Sequence, residues 1–316
     1  MNTNTAPPDY RYWRDYHRSP FLAIEKRQLV NQKTKIFTMG SCFAMEVRRA
    51  LVEKNFDVYP KYRDLRFDRA TQIFDMLPER DSIAHYDTFS IRQEFEAAFG
   101  VFGDRAAGFC TLEGQLANQH LNAPVVYQDP YRKLNYAATV PLLTDLAAEI
   151  DRMFYEGIAN SDVFVITLGL TEVWQHNRTG RYFCRPPGAG YGGGKGEATF
   201  RQSTFAENYE NVSATLDLLL KHFPDKQVVL SVSPVPLERT FARTDIGTAN
   251  LESKSILRAV AGQIAREYEK NVLYLPSYEM ATIMPGPAFA PDGRHVLPEF
   301  ADNVINTFLR FCAKPL

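Results

Sequence analysis

A serine hydroxyl becomes a nucleophile when a base takes its proton, and imidazole is the side chain whose ordinary titration suits that task near neutral pH. The chain holds six histidines. Only His295 follows a carboxylate by three residues, in the run Pro291-Asp292-Gly293-Arg294-His295. In a tight turn that spacing lets Asp292 hold the imidazole Nδ1–H while Nε2 faces a serine. The serine is Ser41, set between Gly40 and Cys42. Attack by Ser41 on an acyl carbon, with His295 moving the proton and Asp292 orienting the ring, is the chemistry these residue types perform together.

Such a trio works only if secondary structure holds it. Ile36, Phe37 and Met39 make a short apolar run of strand character, and Gly40 breaks it where the chain must turn. Beyond Ser41, the residues Ala44, Val47, Ala50 and Leu51 recur at helical spacing beside Glu46, Arg48, Arg49 and Glu53. The expected order is strand, Gly-Ser turn, helix. Backbone N–H groups at a helix start are unpaired and can stabilise an oxyanion beside the serine. A serine there also suits the N-cap of the helix, so the local pattern leaves both roles open.

The same alternation continues along the chain. Residues 1–34 are rich in Pro, Tyr and Arg and are expected to form an irregular arm, with one domain over 35–316. Strands are expected at Phe56 to Pro60, Asp162 to Leu168, Lys226 to Ser233 and Asn271 to Leu275. Helices are expected from Ile91 to Phe99 with Ser90 and Glu94 as its capping pair, from Pro141 through Phe154, from Phe205 to His222, from Asn250 to Lys270, and over Phe300 to Phe308. The pieces between 100 and 140, including Val125-Val126-Tyr127, have no assigned topology. Residues 175–202, polar and glycine-rich, read as a lid insertion. Apolar strands alternating with helices imply a parallel sheet covered on both faces, with ligands beyond the carboxyl ends of the strands.

Composition removes several function classes. There are 36 basic and 37 acidic residues and a formal charge of -1, so no global field favours nucleic acid. No apolar run reaches membrane-span length and no signal-peptide pattern opens the chain, so a cytoplasmic setting is expected. Cys42, Cys110, Cys184 and Cys312 lie far apart, without CxxC spacing or a histidine companion in sequence, so neither zinc nor disulfides are expected. Cys42, beside Ser41, is expected to be a buried thiol. The Gly-Gly-Gly-Lys-Gly run at 192–196 lacks phosphate-loop spacing. No metal or cofactor is expected.

The sequence resembles the GSCFA family, within the SGNH or GDSL-type serine hydrolases, in Gly40 to Ala44, Phe89 to Glu94, Thr167 to Trp174, Ser233 to Pro236, Ser253 to Arg258, Pro276 to Glu279 and Asp292 to His295. The resemblance implies a flavodoxin-like three-layer α/β/α sandwich with a mainly parallel five-stranded sheet, Ser41 as nucleophile and an Asp292–His295 pair after the last strand. The wider group draws oxyanion donors from a glycine and an asparagine. Here Gly169-Leu170-Thr171-Glu172 stands where that group has Gly-x-Asn-Asp. The expected donors are therefore the Ser41 N–H and Thr171, with Thr88 next in line, and Glu172 and Trp174 are candidates for binding substrate. Two functions follow as expectations. One is a serine esterase, deacetylase or O-acyltransferase acting on a carbohydrate or other hydroxyl-bearing substrate, with an acyl donor if it transfers. The other is a non-catalytic carbohydrate-binding or assembly protein with a degenerate site.

Overall fold

A computed structural model describes residues 22–62, 65–66, 84–113, 125–133, 135–188, 196–284 and 286–314. In chain order its strands are β1 (Lys35–Gly40), β2 (Asp57–Tyr59), β3 (Cys110–Glu113), β4 (Val125–Gln128), β5 (Tyr136–Ala137), β6 (Val163–Leu168), β7 (Glu172–His176), β8 (Ala198–Gln202), β9 (Gln227–Val232) and β10 (Val272–Leu275). The helices are α1 (Cys42–Glu53), α2 (Thr88–Ala98), α3 (Val140–Asn160), α4 (Phe205–His222), α5 (Ile246–Glu267), α6 (Ser277–Ile283) and α7 (Pro298–Cys312).

Five strands form one parallel sheet in the order β2-β1-β6-β9-β10. This is the flavodoxin-like order, and the chain reverses its direction of winding between β1 and β6. Side-chain alternation sorts the sheet into two faces. Phe37, Met39, Phe164, Ile166, Leu168, Val228 and Leu230 pack with α3, α4 and α5. Ile36, Val163, Val165, Val229 and Leu273 point the other way, to α1 and α7. The fold is thus the three-layer α/β/α sandwich that the strand and helix pattern implies. Phe37 anchors the first face, its ring 5.2 Å from Phe164 and 5.9 Å from Phe154.

Two stretches differ from the sequence expectation and a third, unassigned in it, gains a topology. Helix α2 begins earlier, with Asp87 as its cap accepting from the Ser90 N–H at 2.8 Å. Ser90 and Glu94 fall inside the helix, where Glu94 is buried against Arg132 instead of capping. The region 100–140 contains a three-stranded antiparallel sheet, β3-β4-β5. The two ends of 175–202 belong to β7 and β8, which pair antiparallel, so the expected lid is anchored in sheet at both ends; residues 189–195 lie outside the described residues. The described part of the amino-terminal arm runs along the end of α7, where the Leu29 and Val30 N–H groups donate to the Cys312 carbonyl at 2.9 and 3.1 Å.

Candidate active site

Ser41 stands at the carboxyl end of β1, at the β1/β6 reversal where ligands bind in such sheets. Gly40 makes the turn possible. Its φ is +136°, and a Cβ there would lie 2.2 Å from the Thr167 carbonyl oxygen on β6. Ser41 is 3% exposed and caps α1, its Oγ accepting from the Phe43 N–H at 3.3 Å and lying 3.3 Å from Thr167 Oγ1. The N-cap reading and a cleft position therefore hold together for this residue.

The Ser41 cleft encloses about 160 Å³ and is lined by Cys42, Asp87, Gly169, Trp174, Phe241, Lys254 and Arg294 among others. Gly169 lets the chain pass close, since a Cβ at that position would sit 3.0 Å from Ser41 Cβ and 2.4 Å from the Tyr86 carbonyl oxygen. Two cleft residues are pushed toward their neutral forms. Burial raises the Asp87 carboxyl to about 7, against the N–H bonds it accepts. Burial likewise lowers the Lys254 ammonium to about 7, with the Arg294 charge adding to the effect and Cys42 opposing it. Lys254 is 1% exposed and donates to the Gly169 carbonyl at 2.6 Å. Displaced titrations of this kind gather at functional sites. Cys42, expected in the core, is half-buried and faces the same cleft, its thiol pushed up by burial.

Asp292 and His295 do meet. Asp292 Oδ2 pairs with His295 Nδ1, and Asp292 Oδ1 accepts from the Arg294 and His295 N–H groups at 3.0 Å each. The Arg294 N–H first, then the His295 ring and N–H, hold the Asp292 carboxyl down at about 2. The pair is open to water, the His295 side chain being 66% and the Asp292 side chain 47% exposed. Its free nitrogen does not reach the serine. His295 Nε2 lies 3.3 Å from an Arg294 guanidinium nitrogen, and no hydrogen bond joins His295 to Ser41.

Of the expected oxyanion donors, the Ser41 N–H and the Thr88 hydroxyl are engaged elsewhere and Thr171 lies outside the cleft lining. The Ser41 N–H donates to Thr167, at 3.1 Å to the carbonyl and 3.2 Å to Oγ1. Thr171 is buried outside the cleft lining; its N–H donates to Ser253 Oγ at 2.9 Å and its carbonyl accepts from the Ser203 N–H and Oγ at 2.8 Å each. The Thr88 hydroxyl donates to Asn208 Oδ1 at 2.8 Å, within the α2–α4 contact. Glu172 pairs with no arginine among the described residues; it accepts from the Thr240 hydroxyl and from the Phe241 N–H at 2.9 Å, pinning the segment that carries Phe241. Trp174 does line the cleft, its ring 5.0 Å from that of Phe241 and edge-on to it. Lys254 and Arg294 escaped the sequence reading, although a signal existed. Lys254 falls on the apolar stripe of its helix with Leu257, Ala261 and Ile264, an unusual place for a free amine.

A doubly wound α/β fold with a serine-bearing cleft at its switch point is the class these features define. The GSCFA family model matches residues 35–308, and the chain belongs to the GSCFA family. A search of the curated proteins finds no match. Among solved structures, it is similar to one from Streptococcus pneumonia provisionally described as a platelet activating factor, at 10% identity over 89% of this chain and 85% of that one, with a TM-score of 0.41. A carbohydrate esterase family 3 structure from Talaromyces cellulolyticus matches at 11% identity over 88% and 96%, TM-score 0.34. The periplasmic domain of a Salmonella ser. Paratyphi A lipopolysaccharide acetyltransferase matches at 11% over 90% and 85%, TM-score 0.34. Likenesses this distant say nothing of the chemistry at Ser41. No helix among the described residues is long and apolar enough to cross a membrane.

Proposed function

We propose that the protein is an acyl-serine enzyme, an esterase, deacetylase or O-acyltransferase, acting on a carbohydrate or other hydroxyl-bearing ester. The observation that carries this reading is that Ser41 opens into a cleft at the sheet's switch point, and that Arg294, from the turn holding the Asp292–His295 pair, lines the same cleft. Ser41 Oγ attacks the acyl carbon, its proton passes to His295 Nε2, and His295 returns that proton to the leaving alkoxide. Water or a second hydroxyl then takes the acyl group and restores the serine. The His295 ring must first turn away from Arg294. Its exposure leaves it free to do so, and catalytic hydrogen bonds commonly tighten only once substrate is bound.

In place of Thr171 and Thr88, the oxyanion meets the Gly169 N–H, which has no acceptor among the described residues, and Lys254, which with its ammonium lowered to about 7 carries only part of its charge at neutral pH. Turnover of an activated acetyl ester tests the assignment. The wild type hydrolyses it, and Ser41→Ala and His295→Ala each lose activity by about 10⁶-fold. Equal turnover by Ser41→Ala would remove Ser41 from the mechanism. Loss in Lys254→Met with retention in His295→Ala would move the proton to Lys254.

The gap between His295 and Ser41, together with the Trp174–Phe241 aromatic wall, favours a second reading, a non-catalytic carbohydrate-binding protein. That reading predicts no turnover by the wild type and saturable quenching of Trp174 fluorescence by sugars.

A further inference from the structure

Away from the cleft, three chemically dissimilar side chains converge. Cys110 opens β3, His176 closes β7 and Glu197 directly precedes β8, and one ligand atom of each lies within 4.8 Å of the others. Among the described residues this is the one group of three His, Cys, Asp or Glu side chains gathered so closely. Cys110 Sγ is 3.1 Å from Glu197 Oε2, and His176 Nε2 is 3.8 Å from the same oxygen. Zinc bonds of about 2.0–2.3 Å to sulfur, nitrogen and oxygen set tetrahedral ligand atoms roughly 3.3–3.7 Å apart, so the cluster needs only small adjustments to close on an ion.

The state of the histidine points to a ligand. His176 is 0% exposed, and its Nε2 is buried without a hydrogen-bond partner, which is rare for a polar atom inside a fold. Its other nitrogen, Nδ1, lies 3.0 Å from both the Tyr131 hydroxyl and Thr179 Oγ1. In the tautomer whose Nδ1–H donates to those oxygens, the Nε2 lone pair is left to share an ion with Cys110 and Glu197. That is how oxygen partners orient a metal-binding imidazole. The sequence hides the cluster because its members sit on three separate segments, and Cys110 gains its histidine only when β7 and β8 fold back beside β3.

We infer that Cys110, His176 and Glu197 form a site for a divalent transition metal, zinc by ligand type, with the fourth position open to water. On binding, the Cys110 thiol gives up its proton to solvent and sulfur, imidazole nitrogen and carboxylate oxygen share the ion. The ion ties the β7–β8 hairpin to β3, and β7 also carries Glu172 and Trp174 to the cleft wall. The site is independent of whatever reaction Ser41 performs.

Cobalt(II) is the probe, added to full-length protein first dialysed against a chelator. The wild type takes up one equivalent with a thiolate-to-cobalt charge-transfer band, zinc displaces it, and the melting temperature rises with zinc concentration. Cys110→Ser and His176→Ala lose the band, while Cys42→Ser keeps it. Glu197→Gln, at a partly exposed position, keeps the fold and lowers affinity about tenfold or more. Failure of the wild type to bind one equivalent would overturn the inference. So would a band that survives in folded Cys110→Ser, or undiminished affinity in Glu197→Gln.

Discussion

His85 and His295 are both paired with a carboxylate, yet their surroundings give them opposite properties. His85 lies in the interior, its Nε2 3.4 Å from Glu94, and Glu94 is clasped by Arg132, whose guanidinium also bonds the Ala147 carbonyl at 3.0 Å. Arg105 and Asp129, 3.0 Å apart, extend the network. Burial pushes the His85 imidazole down to about 4, the Glu94 charge only partly opposing it. Burial would raise Glu94, but the Arg132 charge and hydrogen bonds outweigh it and hold the carboxyl at about 2. This pair is fixed, and it cannot exchange a proton near neutral pH. The Asp292–His295 pair sits in water on a short turn, its carboxylate oriented by backbone N–H groups and its ring exposed, with Nε2 beside the Arg294 guanidinium. A histidine–carboxylate pair alone therefore marks neither structure nor catalysis; burial and freedom to move decide between them.

The buried pair should respond most strongly to substitution. Glu94→Gln leaves the Arg132 charge in the interior with less compensation and should cost about 3–5 kcal/mol in urea unfolding. The matching change in the exposed pair, Asp292→Asn, should leave the unfolding midpoint where it was. A similar loss in both would erase the distinction.

Acid should read the same contrast. With His85 at about 4 in the fold against an ordinary 6.5, the unfolded chain takes up the proton first. The His85 contribution is therefore complete above pH 6.5 and falls as pH drops toward 4, by up to about 3 kcal/mol, while Asp87, raised by burial to about 7 from an ordinary 3.8, contributes in the opposite sense between those two values. Glu94, at about 2 against an ordinary 4.5, adds a second loss between pH 4.5 and 2. His85→Gln keeps an N–H donor that cannot titrate, so between pH 6.5 and 4.5 the variant should lose less stability than the wild type, while the lower limb remains. An unchanged upper slope would show that another group titrates there.

The smallest effect is expected at Thr171. Its backbone is tied to Ser253 and Ser203 and it lies outside the cleft lining, so Thr171→Val should leave ester turnover unchanged. A fall of about 10²-fold or more, as expected for a lost oxyanion donor, would return it to the site.

How much of this was legible in the sequence follows from the range of each interaction. The strand, Gly40, Ser41 and α1 were legible because glycine and an amphipathic stripe are local signals, and the Asp292–His295 pairing because a turn closes within three residues. That Thr171 lies outside the cleft lining was not legible, because proximity to a strand end does not say where the next turn sends a side chain. The capping pair Ser90 and Glu94 was misread because a buried arginine from a distant segment claimed Glu94. Lys254 left a trace in helical periodicity. Cys110, His176 and Glu197 left none, since only the pairing of β7 with β8 and their packing against β3 assemble them.

The central claim is that Ser41 is a nucleophile served by His295. Reaction of the purified protein with a fluorophosphonate, followed by peptide mass spectrometry, tests it most directly. The account predicts a single adduct on Ser41 in the wild type, none in Ser41→Ala, and labelling slowed by orders of magnitude in His295→Ala with an unchanged melting temperature. No adduct on Ser41 in the folded wild type, or labelling at the same rate without the His295 imidazole, would contradict it.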